Sequence, residues 1–249
     1  MTLPKPQADW ALFLDFDGTL VEIAERPEGI ELGADLSGLL AALDDTLGGA
    51  LAVVTGRALE QFDAFLNGAV KVVAGHHGHE LRRPDGTVQQ QDFPREALAE
   101  IRRELEVFVA AHPGLLLEVK GRSLALHFRQ MPELEDACDR ISRRLAGKFG
   151  DQLFVLDGKM VREIRAAGQD KGDAVASLMS LPPFNGRFPV YAGDDTTDED
   201  AFAVVNKMGG VTIKVGDGET CARHRVPSVD ALKRWLGEFR HLSDREVGR

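Results

Sequence analysis

The sequence predicts an α/β fold in which a doubly wound parallel sheet is interrupted by a smaller inserted α+β domain. Short apolar runs alternate with helical stripes of apolar residues in the first and last thirds of the chain, which is typical of βαβ units. The middle third instead places two short strands after each helix. We therefore expect residues 1–83 and 168–249 to form a Rossmann-like core, and residues 84–167 to form the insert.

The elements of the core follow from hydrophobic periodicity. Continuous apolar runs of four or five residues fit strands that are buried on both faces. These runs predict strands at 10–14, 50–54, 70–74, 189–192 and 211–215. Apolar residues at helical spacing predict helices at 36–47, 59–66, 171–179, 202–205 and 232–239. Gly48 and Gly49 end the first of these helices, and Pro182 ends the third.

The insert repeats one pattern twice. Helical stripes are predicted at 98–108 and 134–145, and strands at 115–119, 124–128, 153–156 and 160–164. Asp157 and Gly158 lie between the last two strands, and Asp-Gly between short β runs is a strong hairpin signal. Two αββ units of this kind would build an antiparallel sheet covered by helices.

Composition and charge limit the kinds of partner and compartment. The chain has 249 residues and a formal net charge of −10, which disfavours nucleic acid and anionic membrane surfaces as partners. Cys138 and Cys221 show no metal-binding spacing, and residues 1–9 contain no apolar signal-peptide core. No apolar run is long enough to span a membrane. We expect a cytoplasmic protein, active as a monomer on a small-molecule substrate.

Two carboxylates end the first predicted strand. Asp15 and Asp17 are two residues apart, so their side chains point the same way from an extended backbone. The carboxyl end of a strand is also where open α/β sheets hold their ligands. Because adjacent anions repel each other, the pair indicates a hard cation such as Mg²⁺. The alternative is a strand that stops in an ordinary Asp-Gly turn.

Reactive residue types follow the other predicted strands in a fixed order. Thr55 follows the second strand and Asp194 follows the fourth, while Lys171 opens a helix after a turn. Phosphoryl transfer needs such a set: a nucleophilic aspartate, a carboxylate acid and base, and positive charge on the transferring oxygens. Mg²⁺ held by Asp15 and Asp194 would neutralise charge, and Thr55 and Lys171 would hold the phosphoryl oxygens.

Other interpretations of these residues remain open. The acidic run at 194–200 could be a helix N-terminus that complements the dipole. His76, His77 and His79 could indicate a transition metal, although no carboxylate or cysteine partners are near in sequence apart from Glu80. Receiver domains use the same residue types, but their acidic pair comes first in the chain. A non-catalytic sugar-phosphate-binding module is the remaining alternative.

The motifs resemble those of the haloacid-dehalogenase-like (HAD) superfamily of phosphatases, in the superfamily's order. They are Asp15-Phe16-Asp17-Gly18-Thr19, Thr55-Gly56-Arg57, Lys171-Gly172 and Gly193-Asp194-Asp195. The resemblance implies that Asp15 is the nucleophile, Asp17 the general acid and base, and Thr55 and Lys171 the phosphate ligands. It further implies that Mg²⁺ is held by Asp15, Asp194 and the backbone carbonyl of Asp17. Supporting roles are implied for Gly18, Asp195 and Asp198, and the insert looks like the superfamily's α/β cap.

Within this superfamily the chain is most similar to the trehalose-6-phosphate phosphatase family. The similarity lies in residues 193–202 and in three segments of the insert, at 117–120, 125–129 and 162–164. It implies that a sugar phosphate is bound by Arg57, His77, Glu118, Lys120, Arg129 and Glu163. Related HAD phosphatases that act on sucrose 6-phosphate or mannosyl-3-phosphoglycerate are the alternatives. The loop at 74–80 departs from the family pattern before His77.

Overall fold

The strands and helices were located in a computed structural model of the chain. The structure describes residues 3–23, 36–66, 68–90, 94–120, 123–168, 170–239 and 242, and of Lys120 only the backbone. In chain order, the strands in these ranges are β1 Trp10–Leu14, β2 Leu51–Val54, β3 Val72–Gly75, β4 Glu80–Arg82, β5 Val88–Gln90, β6 Leu116–Lys120, β7 Ser123–His127, β8 Leu153–Gly158, β9 Val161–Ala166, β10 Phe188–Gly193, β11 Val211–Val215 and β12 His224–Val226. The helices are α1 Leu36–Thr46, α2 Leu59–Leu66, α3 Arg95–Ala110, α4 Glu135–Gly147, α5 Lys171–Met179, α6 Asp198–Lys207 and α7 Val229–Gly237.

Two compact units divide the chain. The first contains Met1–Gln90 and Gln169–Arg249, and the second contains Gln91–Gly168. The first unit extends beyond residue 83 because β5 pairs with β4, which in turn pairs with β3. Within the described ranges, no helix combines the length and the apolar character needed to cross a membrane.

The sheet of the first unit has the strand order β12-β11-β10-β1-β2-β3-β4-β5. The strands from β12 to β3 are parallel, and the hairpin of β4 and β5 is antiparallel. Every residue of β1 is buried, as expected for the central strand of a parallel sheet covered by helices. The chain winds outward from β1 in both directions, so the switch point of the sheet lies between β1 and β10. The predicted α/β fold is confirmed.

The second unit is built from two αββ repeats. Its antiparallel sheet has the strand order β6-β7-β9-β8, with α3 and α4 packed on one face. Leu124, Leu126 and Ile164 point into the apolar core beneath these helices. Because side chains alternate across a strand, the neighbouring residues Ala125 and Glu163 lie on the opposite, helix-free face.

Candidate active site

The motif residues of the first unit come together at the carboxyl ends of three neighbouring strands. Asp15 follows β1, Thr55 follows β2 and Asp194 follows β10. The backbone N–H of Asp15 donates to the carbonyl of Ala192 at 2.9 Å, which continues the pairing of β1 with β10 past the strand end. This pairing fixes Asp15 beside the turn that carries Asp194. Both carboxylates therefore lie at the switch point, where open parallel sheets bind their ligands.

A tight turn after β1 shapes the site. The carbonyl of Phe16 accepts hydrogen bonds from the N–H groups of Thr19, Leu20 and Val21, at 3.3, 2.8 and 3.1 Å. Gly18 in this turn has a φ of +78°, in the left-handed region that favours glycine. A Cβ atom on Gly18 would lie 2.1 Å from Oδ2 of Asp194. Glycine is thus required here both by the backbone and by the carboxylate packed against it.

Three carboxylates converge next to this turn. Asp15, Asp194 and Asp198 each contribute an oxygen, and these oxygens lie within 4.8 Å of one another. Asp15 and Asp198 are buried, whereas Asp194 is partly exposed. The sequence predicted that Asp15 and Asp194 would share a cation, and the structure brings these two residues together.

Lys171 supplies positive charge to this cluster. Its Nζ donates to Oδ1 of Asp15 at 2.8 Å and to Oδ1 of Asp198 at 2.7 Å, and its side chain is buried. Lys171 is the first residue of α5, and Asp170 caps that helix in a reciprocal capping box with Asp173. The cap fixes where α5 begins and so directs Lys171 toward the carboxylates.

Asp198 uses both of its oxygens to organise the surrounding backbone and side chains. Its Oδ1 accepts from Lys171 and from the hydroxyl of Tyr191, the latter at 2.7 Å. Its Oδ2 accepts from the backbone N–H groups of Asp194 and Asp195, at 3.0 and 2.9 Å. With four donors on two oxygens, Asp198 is engaged as a structural acceptor. The side chain of Asp195 is exposed, and its Oδ1 accepts from the hydroxyl of Thr196 at 3.2 Å.

The charges of the cluster do not balance without a further cation. Burial, followed by the charge of Asp198, raises the pKa of Asp15 well above its usual value, although Lys171 opposes the change. Burial and the charges of Asp198 and Asp195 raise the pKa of Asp194 to about 6. Burial alone would lower the pKa of Lys171, but Asp15 and Asp198 outweigh it and raise that pKa. The three carboxylates outnumber the ammonium groups of Lys171 and Lys214 next to them, and their oxygens fit a hard divalent cation.

Asp17 lies beside this cluster but is paired with Arg57. Nε and Nη2 of Arg57 donate to the two carboxylate oxygens of Asp17, each at 2.7 Å. The side chain of Asp17 is 36% exposed and that of Arg57 is 13% exposed. Arg57, which was predicted to bind substrate, thus contacts Asp17, the predicted general acid and base.

Thr55 is fully buried where β2 meets the histidine loop. Its Oγ1 accepts from the backbone N–H of Arg57 at 3.1 Å, and its carbonyl accepts from the N–H of His77 at 2.9 Å. His77 has a φ of +59°, and a Cβ on Gly56 would lie 2.9 Å from the His77 ring. His77 is therefore packed directly against the segment that carries Thr55 and Arg57.

Two residues near the cluster were not predicted from the sequence. Tyr191, the single tyrosine of the chain, lies within β10 and donates to Asp198. Lys214 lies in β11, is buried, and donates through Nζ to the backbone carbonyl of Asp194. The detectable signal for Lys214 is that it is the charged residue in a strand that is otherwise uncharged. Tyr191 gives no comparable signal because a tyrosine fits a buried strand.

The remaining predicted site residues belong to the second unit. Glu118 pairs across the sheet with Ala125, and Ala125 with Glu163, so the two glutamates lie in one row on the helix-free face. Nε2 of His127 lies 3.0 Å from Oε2 of Glu118, and Oγ of Ser123 donates to Oε1 of Glu163 at 2.5 Å. Arg129 follows β7 and is exposed. The side chain of Lys120 lies outside the described residues.

Known proteins resemble this chain in sequence and in fold. The profile of the trehalose-phosphatase family matches residues 13–230. The chain is 38% identical over 233 residues to a trehalose-6-phosphate phosphatase of Escherichia coli, covering 94% of this chain and 87% of the relative. Among solved structures, a trehalose-6-phosphate phosphatase related protein is 29% identical, with a TM-score of 0.71 and coverage of 94% and 99%. A haloacid dehalogenase-like hydrolase from Bacteroides thetaiotaomicron shares the fold, with a TM-score of 0.63, 13% identity and coverage of 92% and 98%.

The family match spans most of the chain and includes all four sequence motifs of the first unit. The chain therefore belongs to the trehalose-phosphatase family of phosphoric monoester hydrolases, and it has the HAD-like fold.

Proposed function

We propose that this enzyme hydrolyses trehalose 6-phosphate to trehalose and phosphate through an aspartyl-phosphate on Asp15. The observation that carries the proposal is the convergence of Asp15, Lys171 and Asp194 at the switch point of the sheet. The substrate is inferred from the named relative with 38% identity. The catalytic steps are inferred from the residues themselves.

In the first step, a carboxylate oxygen of Asp15 attacks phosphorus while the bond from phosphorus to the sugar oxygen breaks. Asp17 transfers a proton to the departing sugar oxygen. In the second step, Asp17 removes a proton from water, which attacks phosphorus and releases phosphate from Asp15. The partial exposure of Asp17 is compatible with contact between its carboxyl group and both the leaving group and water.

Lys171 and Thr55 are proposed to hold the transferring phosphoryl group. The Lys171 ammonium lies against Asp15, so it is placed to offset the charge that builds up on the phosphoryl oxygens. Oγ1 of Thr55 accepts its hydrogen bond from the Arg57 backbone, which leaves the hydroxyl hydrogen to donate to a phosphoryl oxygen. We propose that His77, packed on Gly56, contacts the substrate beside this threonine.

Mg²⁺ is the proposed cofactor, held by the carboxylates of Asp15 and Asp194 and by the backbone carbonyl of Asp17. When bound, it would neutralise phosphoryl charge and align the group with Asp15. The excess of carboxylates over ammonium groups in the cluster supports this proposal. Gly18, Asp195 and Asp198 then serve to maintain the geometry of the ligands.

The helix-free face of the second unit is proposed to bind the sugar. Glu118 and Glu163 flank Ala125 in one row, so two carboxylates border a position with almost no side chain. Adjacent strands are about 4.8 Å apart, which places the two glutamate Cα atoms about 10 Å apart. Carboxylates accept hydrogen bonds from several hydroxyl groups, and Lys120 and Arg129 are proposed as donors.

A substrate panel tests the proposed activity. Phosphate release is measured from trehalose 6-phosphate, sucrose 6-phosphate, mannosyl-3-phosphoglycerate and glucose 6-phosphate, with Mg²⁺ and with EDTA. We expect the highest kcat/KM with trehalose 6-phosphate and no turnover in EDTA. Asp15→Asn should abolish turnover while the far-UV circular dichroism stays unchanged. A preference for another ester would overturn the substrate, and turnover in EDTA would overturn the role of the metal.

A further inference from the structure

The contact between Arg57 and Asp17 has the geometry of a two-pronged ion pair. Both carboxylate oxygens of Asp17 accept hydrogen bonds of 2.7 Å, one from Nε and one from Nη2 of Arg57. A planar guanidinium that donates two parallel bonds fixes the plane of the carboxylate as well as its position. A single lysine ammonium does not impose this orientation.

Arg57 is itself held from several directions. Its guanidinium carbon lies 5.0 Å from the ring centre of Phe65 and 5.9 Å from that of Phe16. The backbone N–H of Arg57 donates to Thr55, and its carbonyl accepts from the N–H of His76 at 2.9 Å. Because these contacts hold Arg57 in one orientation, its two hydrogen bonds also fix the orientation of the Asp17 carboxylate.

We propose that Arg57 is a positioning residue, which orients the carboxyl group of Asp17 for proton transfer to the leaving sugar oxygen. This inference rests on the proposed role of Asp17 as general acid and base. Proton transfer requires one carboxyl oxygen to point at the leaving oxygen within hydrogen-bonding distance. Without the two hydrogen bonds from Arg57, the side chain of Asp17 can rotate, because a partly exposed aspartate has several rotamers of similar energy.

The leaving group distinguishes this role from substrate binding. A sugar alkoxide needs a proton to depart, whereas p-nitrophenolate departs without one. We expect Arg57→Met to lower kcat/KM for trehalose 6-phosphate about 100-fold, the scale of general acid catalysis, and to change kcat/KM for p-nitrophenyl phosphate less than about 5-fold. With p-nitrophenyl phosphate the variant should also show a burst of p-nitrophenolate. The burst is expected because the first step stays fast, whereas hydrolysis of the aspartyl-phosphate, which needs Asp17 as a base, becomes slow.

Two further variants keep the test independent of folding defects. Arg57→Lys retains a positive charge but cannot make the two parallel hydrogen bonds to Asp17. It should therefore show the same selective loss of kcat/KM for trehalose 6-phosphate. Arg82 is a partly buried arginine of the same unit that pairs with Asp63 through one hydrogen bond of 2.6 Å and also donates to the carbonyls of Val70 and Lys71. Arg82→Met is therefore the control for the loss of a partly buried arginine and should leave kcat/KM for both substrates unaffected. Thermal unfolding of each variant reports any general loss of stability.

The thermodynamic cycle with Asp17→Asn gives the decisive result. If Arg57 acts through Asp17, adding Arg57→Met to Asp17→Asn should cause no further loss with trehalose 6-phosphate. An additional loss in the double variant would overturn the proposal. Equal losses on both substrates would instead assign Arg57 to phosphate binding, and a loss confined to KM for the sugar phosphate would assign it to sugar binding. If wild-type enzyme prefers another alkyl phosphate, the same comparison applies to that ester, so the two proposals fail separately.

Discussion

Lys171 and Asp15 are 156 positions apart in the sequence, yet Nζ of Lys171 lies 2.8 Å from Oδ1 of Asp15 in a buried site. Lys171 also contacts Asp198, so one ammonium separates two buried carboxylates. Removing one member of such a set leaves uncompensated buried charge, which is more costly than the net stabilisation of the intact pair. We therefore expect Lys171 to contribute to folding stability as well as to the proposed catalytic mechanism.

Replacing Lys171 with methionine should affect activity and stability together. We expect phosphate release to fall more than about 100-fold, because the phosphoryl group loses a buried cation. We expect the free energy of unfolding in EDTA to fall by about 3–5 kcal/mol. Urea denaturation and phosphate assays measure these effects. Lys207→Met is the control, since Lys207 is exposed at the end of α6. Near-normal turnover in Lys171→Met would remove the lysine from the proposed mechanism.

A substitution at Gly18 can separate the effect of backbone strain from that of damage to the proposed metal site. Gly18→Ala places a methyl group on Asp194 and strains a φ of +78°, whereas Gly86 has a φ of +82° and open space where a Cβ atom would lie. Both alanine variants should lose about 1–2 kcal/mol through the left-handed backbone. Only Gly18→Ala should also weaken activation by Mg²⁺, and titration calorimetry measures the Mg²⁺ affinity directly. Equal Mg²⁺ affinity in the two variants would contradict the packing of Gly18 on Asp194.

The sequence predicted the convergence of the strand-end residues because parallel strands leave little freedom at their carboxyl ends. Asp15 and Asp194 follow strands that are buried throughout most of their length and pair with each other, so their turns meet whatever the details of the loops. The αββ repeats were predictable for a similar reason, since the helical stripes and short strands of the second unit recur in the same order.

Other features depend on information that apolar patterns do not contain. The hairpin of β4 and β5 was missed because Val88–Gln90 is short and exposed, and this places the end of the first unit at Gln90 instead of residue 83. The pairing of Arg57 with Asp17 joins side chains 40 positions apart, and it depends on rotamers that packing against Phe65 selects. The hydrogen bond from Tyr191 to Asp198 was likewise not predictable, because it depends on where the tyrosine hydroxyl lies and an apolar pattern does not indicate that position.

The stability of the metal-free protein should decrease as the pH rises through the titration of its carboxylate cluster. The pKa of Asp194 is about 6 in the folded protein, against about 4 in the unfolded chain. Between these values the folded protein binds more protons, so raising the pH lowers the free energy of unfolding. The contribution of Asp194 is lost as the pH rises through its folded-state pKa. Asp15, whose pKa is also raised, acts in the same direction.

Bound Mg²⁺ should offset this loss of stability at high pH, because its positive charge neutralises the ionised carboxylates. At a fixed concentration that is 100 times the Kd measured at pH 7.5, Mg²⁺ should raise the Tm by about 5–10 °C at pH 7.5. The same concentration should raise the Tm by much less at pH 4.5, where protons compete for the carboxylates and weaken the binding of Mg²⁺. Differential scanning calorimetry with Mg²⁺ or EDTA at the two pH values measures the difference. Asp194→Asn, which lacks the titrating group, should reduce the contrast. An Mg²⁺-induced shift that is equal at both pH values would contradict the assignment of the cation to this cluster.

Glu163 offers a test of the proposed sugar-binding face that leaves the first unit unchanged. Its Oε1 accepts from Ser123, and it shares a row with Ala125 and Glu118. Glu163→Gln keeps the shape of the side chain but removes its charge, and a hydrogen bond to a charged group contributes about 1.5–3 kcal/mol. We therefore expect kcat/KM for trehalose 6-phosphate to fall about 10- to 100-fold. Steady-state assays should show no change with p-nitrophenyl phosphate, which has no sugar hydroxyl groups. Glu106→Gln, on the exposed surface of α3, is the matched control. Equal losses on both substrates would refute a sugar-specific role for this face of the second unit.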